Sequence, residues 1–76
     1  MNKERRARLL KALDMIADAQ AILEECKSEE EDYRDNMPEN LQASQKYETA
    51  DQAVNELDSA IDSLNDVMSN TNTAME

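Results

Sequence analysis

The chain contains no histidine, glycine, tryptophan or phenylalanine, and it has one proline, one cysteine and two tyrosines. Each absence removes a class of chemistry. Without histidine there is no nucleophile–imidazole pair, no imidazole metal ligand and no proton shuttle near neutral pH. Without glycine there is no phosphate-cradling loop of the Walker or dinucleotide kind. Scarce aromatics and missing glycine suit long helices and poorly suit a sheet. The lone Cys26 has no disulfide partner in the chain and fits a reducing, cytoplasmic setting. No apolar run opens the sequence, so no secretory signal is expected. No stretch reaches the ~20 apolar residues of a membrane span. A Glu-rich bundle can hold a di-metal pair, but such sites draw on Glu-x-x-His ligands that are missing. The run Ser28-Glu29-Glu30-Glu31-Asp32 lacks the alternating acids and turn glycine of a calcium loop. No enzymatic activity, cofactor or metal is expected.

What is present is charge and periodicity. Eight basic residues stand against eighteen acidic ones, a net charge of −10. Nucleic acid and anionic membranes repel such a molecule, and a basic protein surface attracts it. Seventy-six residues bound the chain to one small domain, 1–76. Chains below ~80 residues rarely build more than a few kcal/mol from one core. With neither disulfide nor metal to help, oligomerisation is the remaining way to bury surface.

The apolar residues form two stripes. Ala50, Val54, Leu57, Ile61, Leu64 and Met68 follow alternating steps of four and three, a heptad seam that must face another helix. The first half carries Leu9, Leu13, Ile16, Leu23 and Cys26, with Ala19 or Gln20 between, and Leu10, Ala17 and Ile22 widen the stripe. The widening points to contact with more than one neighbour. In a strict heptad register Gln20 falls on the seam, where a polar residue can fix register or oligomer state at some cost in stability. A straight helix drifts ~20° per heptad, which favours the other reading, Ala19 on the seam and Gln20 outside it. Asn2 and Ser44 can cap the two helices. Pro38 excludes Met37 from helical conformation and can start a short turn of its own. Ser28 with Glu31 matches a capping box, where a helix can restart, although a solvated helical turn is the expected reading. The stretch from Asn70 to Thr73 is expected to fray.

The fold expected is all-α: an antiparallel two-helix hairpin with helix 1 about 2–34, a bend at 35–43 and helix 2 about 44–70. Tyr33, Met37, Pro38, Leu41 and Tyr47 should cluster at the bend. The seam of Leu9, Leu13, Ile16, Leu23, Val54, Leu57, Ile61 and Leu64 should serve a homodimer or larger, in a four-helix arrangement.

Charge is unevenly spread. Residues 1–11 hold five bases and one acid, and residues 12–76 hold three bases and seventeen acids. Cations at a helix N-terminus oppose the macrodipole. An antiparallel hairpin can offset that cost by laying them beside Asp58, Asp62 and Asp66. The alternative reading is a basic hook for RNA, DNA or acidic lipid, for which a short segment with no aromatic partner is a thin footprint. Glu48, Asp51, Asp58 and Asp62 form a row on one helix face and are the candidate partner-binding residues.

The stretch Glu30-Glu31-Asp32-Tyr33-Arg34-Asp35-Asn36-Met37-Pro38-Glu39-Asn40-Leu41-Gln42-Ala43-Ser44, then Tyr47-Glu48 and the Leu57, Ala60, Ile61, Leu64 pattern, resembles a group of small acidic helical proteins of Gram-positive bacteria and their prophages. They share an acidic run, an Asn-x-Pro-Glu-x-Leu-Gln turn and a second amphipathic helix. The resemblance implies a hairpin fold and a phage origin, and it brings no catalytic residue. It brings no mechanism either. Small acidic phage proteins often inhibit basic host defence or DNA-handling proteins, including as DNA mimics. The plainer reading of the acidity is that it keeps a small helical protein soluble.

Three functions are therefore weighed. The first is a cytoplasmic inhibitor or adaptor engaging a basic protein surface. The second is a homo-oligomeric structural module, and the third is a sponge holding a small nucleotide at Arg5, Arg6 and Arg8. For DNA mimicry, a helix of about 26 residues spans ~40 Å, which gives one charge per ~4 Å, or ~2 Å in a dimer. Duplex DNA carries one per ~1.7 Å.

Overall fold

A computed structural model describes residues 1–76. Helix α1 spans Lys3–Asp35, a single turn of 3-10 helix covers Glu39–Leu41, and α2 spans Gln45–Ala74. There is no strand. The two long helices lie antiparallel in a rod of 59 × 15 × 12 Å. The expected all-α hairpin is the observed fold.

The helix starts follow from local chemistry. Asn2 accepts from the Arg5 amide at 2.7 Å, satisfying one of the orphan donors of the first turn. Ser44 does the same for Tyr47 at 3.4 Å, and its hydroxyl donates to the Leu41 carbonyl. Helix α1 runs unbroken through Ser28–Glu31, so no helix restarts there. At its end the Asn36 amide donates to the Asp32 carbonyl at 2.9 Å, and Met37 donates to Arg34 at 3.3 Å. Pro38 then opens the short turn, with Leu41 donating back to its carbonyl at 2.8 Å.

Helix α2 extends past the expected stop near Asn70 to Ala74. The seam explains the extension, because Thr71 and Met75 continue the heptad spacing and are half-buried. The Thr71 and Thr73 hydroxyls also donate to the Val67 and Ser69 carbonyls, at 2.7 and 3.1 Å.

Four residues are buried: Met37, Ala50, Val54 and Ile61. Leu9, Leu13, Ile16, Leu23, Leu57 and Leu64 are half-buried, as two helices alone cover only one side of each other. Among the half-buried positions of α1, Leu9, Leu13, Ile16, Gln20, Leu23, Lys27, Glu30 and Arg34 form an unbroken alternation of four and three, with Ala12 and Glu31 half-buried beside it. This corrects two expectations. Gln20 sits on the seam, whereas Ala19 is exposed, because α1 keeps the heptad register instead of drifting. Cys26 is exposed, and Lys27 takes the seam position assigned to it. The bend cluster also opens more than expected. Met37 is buried and Tyr47 half-buried, but Tyr33 and Leu41 remain exposed.

Candidate functional site: a polar ladder and an acidic end

Helix α1 changes character at its middle. Up to Ile16 its seam is apolar, and from Gln20 the first position of each heptad is polar. Each of these polar residues reaches the same flank of α2. The Gln20 amide donates to Oδ1 of Asn65 at 2.7 Å and to the Ile61 carbonyl at 3.5 Å. Lys27 Nζ meets Asp58 at 2.8 Å and Glu31 at 3.7 Å. Arg34 bonds Asp51 at 2.8 Å and Asp35 at 2.9 Å. Gln20, Lys27 and Arg34 are one heptad apart, and so are Asn65, Asp58 and Asp51. The three rungs therefore share one geometry and hold the antiparallel register.

The electrostatics follow from the rungs. The hydrogen bond to Asp58 raises the Lys27 pKa above its ordinary 10.5, desolvation opposes the rise, and the charges of Asp58 and Glu31 add to it. The hydrogen bond to Asp35 raises Arg34, with Asp51 contributing.

These rungs redistribute the acids expected to face a partner. Asp51 and Asp58 are engaged by cations of the same chain, while Glu48 and Asp62 are exposed and unpaired. The basic N-terminal segment does not meet Asp58, Asp62 or Asp66. Its one bond across the hairpin is Arg6 Nε to the Met75 carbonyl, at 3.1 Å. The antiparallel register accounts for this, since it sets Lys3–Lys11 beside the last turns of α2 and not beside its middle. There Arg6 satisfies an orphan carbonyl and places a cation at the negative end of the α2 dipole.

Folding also sorts the net charge. The Gln20–Asn65 rung cuts the rod into two ends. On the open side, residues 1–20 and 65–76 hold five acids and five bases. On the bend side, residues 21–64 hold thirteen acids and three bases, so the whole net charge of −10 lies there. Sequence reading saw the basic start but missed this polarity, because the acids are scattered along the chain and gather only when it doubles back.

The length revises the comparison with DNA. Averaged over the 59 Å rod the net charge is one per about 6 Å, but confined to the bend side, roughly half that length, it is one per about 3 Å, against ~1.7 Å for the duplex. An open hollow lies at the bend, lined by Tyr33, Met37, Pro38, Leu41 and Lys46 with acidic neighbours. It is remote from Arg5, Arg6 and Arg8, at the opposite end of the rod. No three side chains among His, Cys, Asp and Glu converge as a metal-binding set. No helix is long and apolar enough to cross a membrane.

Compared with protein-family models, curated proteins and solved structures, the chain matches none, so the likeness of its turn to small prophage proteins assigns no family.

Proposed function

We propose that this hairpin is a non-catalytic binding protein, of the inhibitor or adaptor kind, whose acidic bend half engages a cationic surface of another protein. The observation that carries this reading is the charge segregation at the Gln20–Asn65 rung. A rod neutral at one end and strongly negative at the other orients itself in the field of a basic partner and speeds encounter. Of the eighteen carboxylates only Glu31, Asp35, Asp51 and Asp58 meet a cation within 4.0 Å, which leaves the others available. Among the residues first singled out, Glu48 and Asp62 are the free contacts, and Asp51 and Asp58 hold the hairpin.

The test is salt-dependent capture of host proteins by immobilised hairpin. The partner should bind at low ionic strength and leave as screening shortens the Debye length from ~10 Å at 0.1 M toward ~3 Å at 1 M. Charge-neutral Glu48→Gln with Asp62→Asn should weaken capture while helicity is unchanged. Undiminished capture by that variant removes these two residues from the contact. Salt-indifferent capture removes the electrostatic reading altogether.

A further inference from the structure

The polar ladder occupies one flank of the hairpin, and the opposite flank is apolar and uncovered. Met15 and Ile22 there are 64% and 59% exposed. They are seven residues apart and therefore on one line of α1. The same line continues one heptad outward to Arg8 on one side and Glu29 on the other, both exposed. The column thus reads cation, apolar, apolar, anion. Beside it run Ala12, Ala19, Cys26 and Tyr33, also at heptad spacing and, apart from half-buried Ala12, exposed. Val67 leaves α2 on the side away from Asp51, Asp58 and Asn65, and the antiparallel register sets it level with this patch.

We infer that this flank docks a second copy of the chain, α1 against α1, antiparallel. Two observations select that occupant. The first is self-complementarity. Only the antiparallel arrangement brings Arg8 opposite Glu29 of the second copy while Met15 meets Ile22. A two-fold axis then passes beside Ala19 and repeats both pairs, as an isologous interface requires. Parallel docking would oppose Arg8 to Arg8 and Glu29 to Glu29. On the larger scale, the basic start of each α1 would lie along the acidic second half of its partner.

The second observation is area. The hairpin exposes 5667 Å². A compact folded monomer of 8.6 kDa exposes roughly 4,700 Å². The excess of about 1,000 Å² is close to the ~800 Å² that each partner of a standard interface covers. No side chain of the single hairpin is fully buried, so a second copy would also complete its sparse core.

This arrangement alters how charge is displayed. The two acidic halves point in opposite directions, so a dimer offers two separate acidic ends and not one doubled rod. It leaves the polar ladder and the exposed Glu48 and Asp62 clear of the interface.

The proposal is tested by charge reversal read in sedimentation equilibrium across dilutions, with helicity followed in parallel. Wild-type protein should sediment at twice the 8.6 kDa chain mass. Arg8→Glu and Glu29→Arg should each weaken the dimer about ten-fold or more, by placing like charges at both symmetric contacts. The double reversal should restore it, since the column stays self-complementary. A second arm uses Ala19→Cys in a Cys26→Ser background, which should form an intermolecular disulfide on mild oxidation because the two thiols meet near the axis. Asp18→Cys in the same background should cross-link slowly. A monomer at all concentrations, single reversals without effect, or a double reversal no better than the singles would each overturn the proposal. So would equal cross-linking at positions 18 and 19.

Discussion

The side-chain amide of Gln20 donates to Oδ1 of Asn65 at 2.7 Å, placing a neutral polar rung between the apolar and the charged halves of the seam. A polar group in a helix–helix seam costs stability relative to an apolar one, and its use is to make one register better than its neighbours. Here a shift of either helix by one heptad would leave Gln20 beside Asp58 or Asn72 and would unpair Lys27 or Arg34.

Replacing Gln20 separates these two contributions. Gln20→Ala should cost about 1 kcal/mol, the worth of one hydrogen bond together with lost packing. Gln20→Leu should more than recover that loss, because a leucine fills the seam between Ile16 and Leu23. Denaturant titration of both variants checks this. A Gln20→Leu protein less stable than the parent would show that the rung stabilises outright.

The placement of the seam is tested by truncation. Ile61 is 8% exposed, and Ile61→Ala should cost about 2 kcal/mol or more. Cys26→Ser should change stability by less than about 0.5 kcal/mol, since the thiol is on the surface. Equal losses from the two would return Cys26 to the core.

These contrasts show which parts of the structure were legible in the sequence. The α2 seam was, because its rungs from Ala50 to Met68 are large or small apolar residues at strict spacing. The caps Asn2 and Ser44 and the Pro38 break were legible for the same reason, as each rests on local backbone chemistry. The second half of the α1 seam was not. Lys27 and Arg34 look like surface residues until α2 supplies Asp58 and Asp51, and no local rule says that it will. Both side chains are half-buried while their charged groups pair with Asp58 and Asp51, so apolar patterning alone passes over them. The acidic row on α2 was read as one surface for the same reason, when half of it belongs to the hairpin.

The Lys27 rung predicts a dependence on alkaline pH. Its pKa is raised in the folded chain above the ordinary 10.5. A raised cationic pKa contributes stability that is fully present below the unfolded value and is lost as pH rises through the folded one. The stability gap between wild type and Lys27→Gln should therefore be constant from neutral pH to about pH 10 and shrink above 10.5. Lys27→Arg should keep its gap over Lys27→Gln throughout, because arginine stays charged. Denaturant titrations at pH 8 and pH 11, roughly either side of that window, decide it. A gap that widens with pH would contradict the rung.

The last prediction concerns the three aspartates Asp58, Asp62 and Asp66, which stand at four-residue intervals on α2 and look equivalent in sequence. The fold makes them unequal. Asp58 accepts from Lys27 at 2.8 Å, whereas Asp62 and Asp66 are exposed and meet no cation. Asp58→Lys would set two ammonium groups against each other across the seam edge, so its melting temperature should fall by a few degrees at low salt. The loss should shrink in high salt as the repulsion is screened. Asp62→Lys should leave the melting temperature unchanged or raise it slightly, because it relieves a bend half that carries the entire net charge. Asp66→Lys should also be neutral. Thermal unfolding of the three variants, at low and high salt, measures the order directly. If Asp62→Lys or Asp66→Lys is as damaging as Asp58→Lys, the basic segment from Lys3 to Lys11 reaches the middle of α2 in solution, and the register drawn from Arg6–Met75 and Gln20–Asn65 is wrong.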